Sequence, residues 1–159
     1  MKAHEIMNNQ VVKVKEQDSV YLCIKKMLQY NISGLPVVNE RNELKAFLSD
    51  GDIMRAVGKT NEIVLGTLLY ADVFQIDPKG FEERAQEILT LNVMEIAQKK
   101  VYTVKLDEEV ENITTAMAKQ KIKQLPVERN GVLVGMISRG DVIRNTFKSI
   151  NECLKKSVC

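Results

Sequence analysis

The chain has 159 residues, of which 45% are hydrophobic and 28% are charged, and its formal net charge is +2. This length fits one ordinary globular domain or two small domains that share a core. The small net charge and the few aromatic residues argue against a nucleic-acid surface, so we do not expect nucleic acid among the partners. The first residues, Met1 to Glu5, lack the apolar run that is typical of a signal peptide. The most apolar stretch, residues 63–74, is too short and too interrupted to span a membrane.

The three cysteines are Cys23, Cys153 and Cys159. Their number is odd and none of them forms a CxxC motif, which favours a reduced, cytoplasmic setting. Cys23 falls on the apolar face of a predicted helix and is expected in the core.

Two motifs occur twice in the same order. Leu-Pro-Val occupies residues 35–37 and 125–127, and Ser-x-x-Asp follows at 49–52 and 138–141. The repetition predicts a duplicated half-domain. The predicted organisation is a first repeat at 1–57, a joining segment at 58–90, and a second repeat with a C-terminal tail at 91–159.

The first repeat predicts five elements. A short strand at Val11–Val14 precedes an amphipathic helix with apolar positions from Val20 to Leu28, capped at Asp18-Ser19. The Leu-Pro-Val run begins a second strand, and a return strand follows at Leu44–Leu48. A last helix begins near Asp50.

The joining segment predicts a helix over residues 81–89 and a shorter one near 66–71. The second repeat then runs through a strand at Val101–Val104, a helix from Val110 capped at Asp107-Glu108, and a hairpin at Asn130-Gly131. Its return strand is predicted at 132–137 and its last helix near Arg139.

Both repeats therefore read β-α-β-β-α, which is an α+β fold. A unit of about 55 residues is marginal for independent stability. We expect the two repeats to pack through their sheets with pseudo-two-fold symmetry.

The Ser-x-x-Asp motif admits two interpretations. As a helix cap, the serine accepts a bond from a first-turn N–H and the aspartate favours the helix dipole. As a ligand clamp, the helix N-terminus and hydroxyl suit phosphate, and the carboxylate suits a ribose diol. One motif can serve both purposes.

The β-α-β-β-α order, the Gly-Leu-Pro-Val-Val run at 34–38 and the Ser-x-x-Asp step resemble tandem cystathionine-β-synthase-type (CBS) repeats, a Bateman module. The resemblance implies a regulatory module that binds AMP, ADP, ATP or S-adenosylmethionine in clefts between the repeats. It also implies a homodimer and an as yet unknown protein partner. The site residues it implies are Val12, Ser33, Gly34, Pro36, Ser49 and Asp52, then Tyr102, Lys123, Gln124, Leu125, Pro126, Ser138, Arg139 and Asp141.

The repeats differ where phosphate is expected. Lys123 and Arg139 in the second repeat correspond to Ser33 and Asp50 in the first. Since phosphate contacts are charge-assisted, we expect the second site to bind a phosphate-rich nucleotide better. The alternative is that both cations are solvated surface charges. Gln124 departs from the small residue usual at its position, which leaves the exact ligand open.

No pattern indicates an enzyme. His4 is the only histidine, and no metal-binding cluster, nucleophile elbow or phosphate-binding glycine loop is present. Two alternatives to a ligand sensor remain, namely a structural dimerisation module with empty clefts and a nucleic-acid-associated regulator.

Overall fold

The computed structural model describes residues 1–58, 80–148 and 150. It contains two three-stranded sheets with helices packed on them, one sheet from each repeat. This confirms the α+β fold and the pseudo-symmetric pair of repeats. The short helix predicted near 66–71 lies outside the described residues, as do Cys153 and Cys159.

In the first repeat, the middle strand pairs in parallel with the strand before it and antiparallel with the strand after it. A one-turn helix precedes these elements. The elements are α1 (Ala3–Ile6), β1 (Val14–Lys15), α2 (Val20–Tyr30), β2 (Gly34–Val38), β3 (Leu44–Ser49) and α3 (Asp50–Val57).

The second repeat has the same order and the same strand pairing. The predicted helix of the joining segment is present, and a 3-10 helix at Val93–Glu95 takes the place of α1. The elements are α4 (Phe81–Leu89), β4 (Val104–Lys105), α5 (Val110–Lys119), β5 (Gln124–Arg129), β6 (Val132–Ser138) and α6 (Arg139–Thr146).

The first strand of each repeat is shorter than predicted. β1 begins at Val14 rather than Val11, and β4 at Val104 rather than Val101. Only two residues of each strand pair with the middle strand, Val14 and Lys15 in the first repeat. The residues before them leave the sheet and form cleft walls.

The long helices follow their apolar periodicity. Val20, Cys23 and Met27 are buried along α2, and the hydroxyl of Ser19 caps the helix by accepting from the N–H of Leu22 at 3.3 Å. The cap predicted for α5 at Asp107-Glu108 is wrong. The residue before α5 is Glu109, whose side chain makes no capping bond.

The second hairpin turns as its sequence predicts. Asn130 and Gly131 have φ values of 53° and 80°, both in the left-handed region that a tight two-residue hairpin requires. This turn also joins the two sheets. The N–H of Leu44 donates to the carbonyl of Gly131 at 3.2 Å, and the N–H of Leu133 donates to the carbonyl of Asn42 at 2.9 Å.

The two hydrophobic cores exchange segments between the repeats. Ala3 and Ile6 pack into the core of the second repeat. Ile88, Val93 and Ala97 pack into the core of the first. The domain limits proposed from the sequence stay a prediction, because the packing crosses them. Each repeat completes its core with chain that precedes the other repeat's first strand.

Candidate functional site

The first Ser-x-x-Asp motif forms a capping box at the start of α3. The Oγ atom of Ser49 accepts from the N–H of Asp52 at 3.3 Å. In return, Oδ2 of Asp52 accepts from the N–H of Ser49 at 2.9 Å and from its hydroxyl at 2.8 Å. The cap interpretation of this motif is therefore correct for the first repeat.

The other oxygen of Asp52 is also engaged. Its Oδ1 atom accepts from Nε2 of Gln98 at 2.8 Å and from the guanidinium of Arg55. The Asp52 side chain is only 1% exposed. Burial raises the pKa of this carboxyl, but the hydrogen bonds from Gln98 and Ser49 and the charge of Arg55 outweigh it and hold the pKa below its ordinary value.

The second motif repeats the capping box at the start of α6. Oδ2 of Asp141 accepts from the N–H of Ser138 at 2.8 Å and from its hydroxyl at 2.6 Å. Oδ1 accepts from the guanidinium of Arg144. The Asp141 side chain is 20% exposed, so this carboxylate reaches solvent where Asp52 does not.

A cavity of about 230 Å³ opens beside this second motif, and we call it the Asp141 cleft. Its lining combines both repeats, since strand and pre-strand residues of the first repeat face the capping box of the second. The lining includes Val12, Gly34 and Pro36 of the first repeat and Gln124, Ser138, Asp141 and Arg144 of the second.

A second cavity, of about 400 Å³, is lined largely by the equivalent residues of the other repeat, and we call it the Gln98 cleft. Tyr102, Gln124 and Pro126 of the second repeat line it together with Gln98 and Phe47. Although this cavity is the larger, Ser49 and Asp52 are not among the residues that line it. The carboxylate of the first motif is thus separated from its cleft.

Each of the two clefts combines residues of both repeats. Val12 and Gly34 lie with Asp141 rather than with Asp52, and Tyr102 lies on the side of Asp52. The reason is topological. The residues that precede each first strand pair with the return strand of the other repeat, as in the exchange of bonds between Asn8 and Met136.

The side chain of Leu125 lines neither cleft, because it is completely buried in the second core. Successive residues of a strand point to opposite faces. Gln124 and Pro126 therefore face the clefts, and Leu125, which lies between them in the strand, points to the opposite face and into the core.

Lys123 does not lie in the Asp141 cleft. Its Nζ atom lies 2.9 Å from Oδ2 of Asp50, in an ion pair between the repeats. The hydrogen bond from Lys123 is the main reason that the pKa of Asp50 is lowered. Ser33, the counterpart of Lys123, contributes its backbone carbonyl to the N–H of Asp50 at 2.8 Å.

Arg139 is also bound elsewhere. Its Nε donates to the carbonyl of Ile122 at 2.9 Å, and its guanidinium reaches the carbonyl of Met117 at 3.4 Å. Arg139 thus holds the end of α5 against the start of α6. The expected contrast of two free cations in the second site is therefore not what distinguishes the clefts.

Sequence reasoning missed several residues of the clefts. Arg144 lines the Asp141 cleft, and its signal was available as an arginine three residues after the aspartate in both repeats, with Arg55 as its counterpart. Asn8 and Gln98 occupy equivalent positions 90 residues apart. They lie outside the predicted elements, so no local pattern indicated them.

The described part of the chain holds no group of three or more histidine, cysteine or carboxylate side chains that could bind a metal ion. Within the same residues, no helix combines the length and apolar character needed to cross a bilayer.

The family profile described as CBS domain matches this chain twice, at residues 3–59 and 93–147. Among curated proteins, the uncharacterized protein MJ1426 of Methanocaldococcus jannaschii is 29% identical over 149 residues, which cover 87% of each chain. This similarity therefore extends through both repeats and the segment between them.

Two solved structures share the fold. The structure of CBSX2 in complex with AMP has a TM-score of 0.71 and 18% identity, and the similarity covers 94% of this chain and 98% of that one. The CBS domain pair of MJ0100 in complex with 5′-methylthioadenosine and S-adenosyl-L-methionine has a TM-score of 0.69 and 21% identity, with coverage of 94% and 98%. At these identities the likeness concerns the fold alone.

The two profile matches cover most of the chain, and each coincides with one sheet, its flanking helices and its Ser-x-x-Asp capping box. The protein belongs to the CBS domain family and contains two CBS repeats.

Proposed function

We propose that this protein is a regulatory module that senses an adenosine-containing nucleotide, such as AMP, ADP, ATP or S-adenosylmethionine, and has no catalytic activity. The observation that carries the proposal is the partly exposed carboxylate of Asp141 at the wall of a cleft between the repeats. Two relatives of the same fold are named as complexes with adenosine compounds, which supports this ligand class.

Each part of the nucleotide has a matching group in the Asp141 cleft. Val12, which is only partly buried, offers apolar contact to an adenine ring. The carboxylate of Asp141 can accept hydrogen bonds from a ribose diol. The N-terminus of α6 and the guanidinium of Arg144, whose side chain is 58% exposed, suit a phosphate.

Calorimetry on the full chain tests this function directly. We expect AMP to bind and 2′-deoxy-AMP to bind roughly ten- to a hundredfold more weakly, because loss of one hydroxyl removes a bond to a charged acceptor. Asp141→Asn should weaken AMP binding by a similar factor without unfolding the protein. If AMP, ADP, ATP and S-adenosylmethionine all fail to bind or to raise the melting temperature, the clefts are structural and the module serves only dimerisation.

Arg144→Ala separates the phosphate from the rest of the ligand. The loss of affinity should be larger for AMP than for adenosine, since adenosine has no phosphate. Arg129→Ala is the matched control, because Arg129 is an exposed arginine of β5 that lines neither cleft. Equal losses for AMP and adenosine would contradict a phosphate contact by Arg144.

We further infer a cytoplasmic homodimer that passes the ligand signal to a partner protein. Exposed apolar side chains on three helices support an assembly surface, with Leu28 at 77%, Met54 at 65% and Ile143 at 59% exposure. Nucleotide binding shifts the dimer or partner surface only if it favours one arrangement over another. Sedimentation gives the assembly state. If AMP leaves amide hydrogen exchange outside the cleft unchanged, the proposed shift of the dimer or partner surface is contradicted.

A further inference from the structure

The two Ser-x-x-Asp clamps differ in how many acceptor positions they leave open. A carboxylate offers about four acceptor positions. Asp52 receives four donors, namely the N–H and hydroxyl of Ser49, the guanidinium of Arg55 and Nε2 of Gln98. A ribose hydroxyl finds no free position on it.

Among the residues that the structure describes, Asp141 receives three donors, the N–H and hydroxyl of Ser138 and the guanidinium of Arg144. The donor that is missing is the counterpart of Gln98. Arg55 and Arg144 are equivalent in the two clamps and are both largely exposed, so they do not account for the difference.

The position equivalent to Gln98 is Asn8, whose backbone has the same surroundings. Asn8 exchanges backbone hydrogen bonds with Met136 at 2.8 and 3.0 Å, and Gln98 exchanges them with Phe47 at 2.9 Å in both directions. The asparagine side chain is one methylene shorter. Its Oδ1 accepts from the N–H of Gln10 at 2.9 Å and bonds within its own turn.

We propose that Gln98 is an internal competitor that closes the Asp52 clamp, so that one chain binds one nucleotide tightly, in the Asp141 cleft. The inference rests on the proposed function and adds its stoichiometry and the pair of residues that determines it. A nucleotide at Asp52 must first displace the amide of Gln98 from a buried, charged acceptor. Loss of such a bond weakens binding at this clamp roughly ten- to a hundredfold relative to Asp141.

The test exchanges the two side chains and counts bound AMP on the full chain by calorimetry and equilibrium dialysis. The unsubstituted chain should bind one AMP tightly. Gln98→Asn should strengthen AMP binding at Asp52 by roughly ten- to a hundredfold. Asn8→Gln should weaken AMP binding at Asp141 by a similar factor. Gln86→Asn is the matched control, because Gln86 is an exposed glutamine of α4 that lines neither cleft.

Each outcome has one meaning, provided that melting curves show folded variants. Two tight sites of equal affinity in the unsubstituted chain would overturn this inference and leave the proposed function standing. The inference would also be overturned if the affinity for AMP at Asp52 were unchanged in Gln98→Asn and the affinity at Asp141 were unchanged in Asn8→Gln. A chain that binds none of AMP, ADP, ATP and S-adenosylmethionine would overturn the proposed function and this inference with it.

Discussion

The Nζ atom of Lys123 lies 2.9 Å from Oδ2 of Asp50, so the two repeats neutralise each other's charge at their interface. Lys123 lies just before the middle strand of the second repeat, and Asp50 begins the last helix of the first repeat. In sequence they read as opposite charges of two separate sites. In the fold they form one pair.

The Lys123–Asp50 pair should contribute little to stability. Both side chains are more than one-third exposed, so we expect a double-mutant cycle with Lys123→Ala and Asp50→Ala to give a coupling below about 1 kcal/mol. The coupling should fall as salt is added. Urea unfolding at low and high ionic strength measures it, and a salt-independent coupling would contradict the exposed geometry.

The same pair predicts a titration effect. Lys123→Ala should raise the pKa of Asp50 toward its ordinary value, because the hydrogen bond from Lys123 is the main cause that lowers it. NMR titration of the carboxyl group measures the change. Lys119→Ala is the control, since it removes an exposed lysine of the nearby helix α5 and should leave the titration of Asp50 unaltered.

The carboxylate of Asp52 should make the free energy of unfolding depend on pH in the acid range. Its folded-state pKa is lowered, so its stabilising contribution is complete above the unfolded pKa near 3.8 and is lost as the pH falls through the folded value. Asp52→Asn should therefore be destabilising at pH 7, and the difference from the unsubstituted chain should shrink below pH 4. Urea unfolding across this range checks it, and a constant difference would contradict the lowered pKa.

Gly34 should not tolerate a side chain. A Cβ atom at this position would lie 2.8 Å from Cε1 of Phe47 and 2.9 Å from the carbonyl oxygen of Leu48. We expect Gly34→Ala to destabilise the fold by roughly 1–3 kcal/mol. Gly51→Ala is the matched control, because its Cβ would meet no atom closer than 3.5 Å. Equal thermal shifts in both variants would contradict the steric argument.

The exchanged core segments predict an effect at a distance along the chain. Ile6 is buried in the second core, so Ile6→Ala should cost about 2–5 kcal/mol and accelerate amide exchange in β5 and β6. Its counterpart Ile96 is only partly buried against the first core, and Ile96→Ala should cost less. If Ile6→Ala accelerated amide hydrogen exchange in the first sheet alone, the packing of Ile6 into the second core would be contradicted.

Much of the fold was predictable because its signals are local. The apolar spacing of Val20, Cys23 and Met27 specifies one buried helix face, and Asn130-Gly131 specifies a hairpin by backbone sterics. The serine caps follow from the same reasoning, since a helix leaves N–H groups at its start that a hydroxyl can satisfy.

The composition of the clefts was not predictable in this way. The sequence by itself determined two repeats, their β-α-β-β-α order and the two Ser-x-x-Asp caps. Only the tertiary structure decided that Val12 and Gly34 face Asp141, that Lys123 binds Asp50, and that Gln98 occupies Asp52. The reason is physical. Caps and helix faces depend on neighbours within a few residues, whereas cleft contacts depend on how two sheets dock, and that docking brings together residues 46 to more than 100 positions apart.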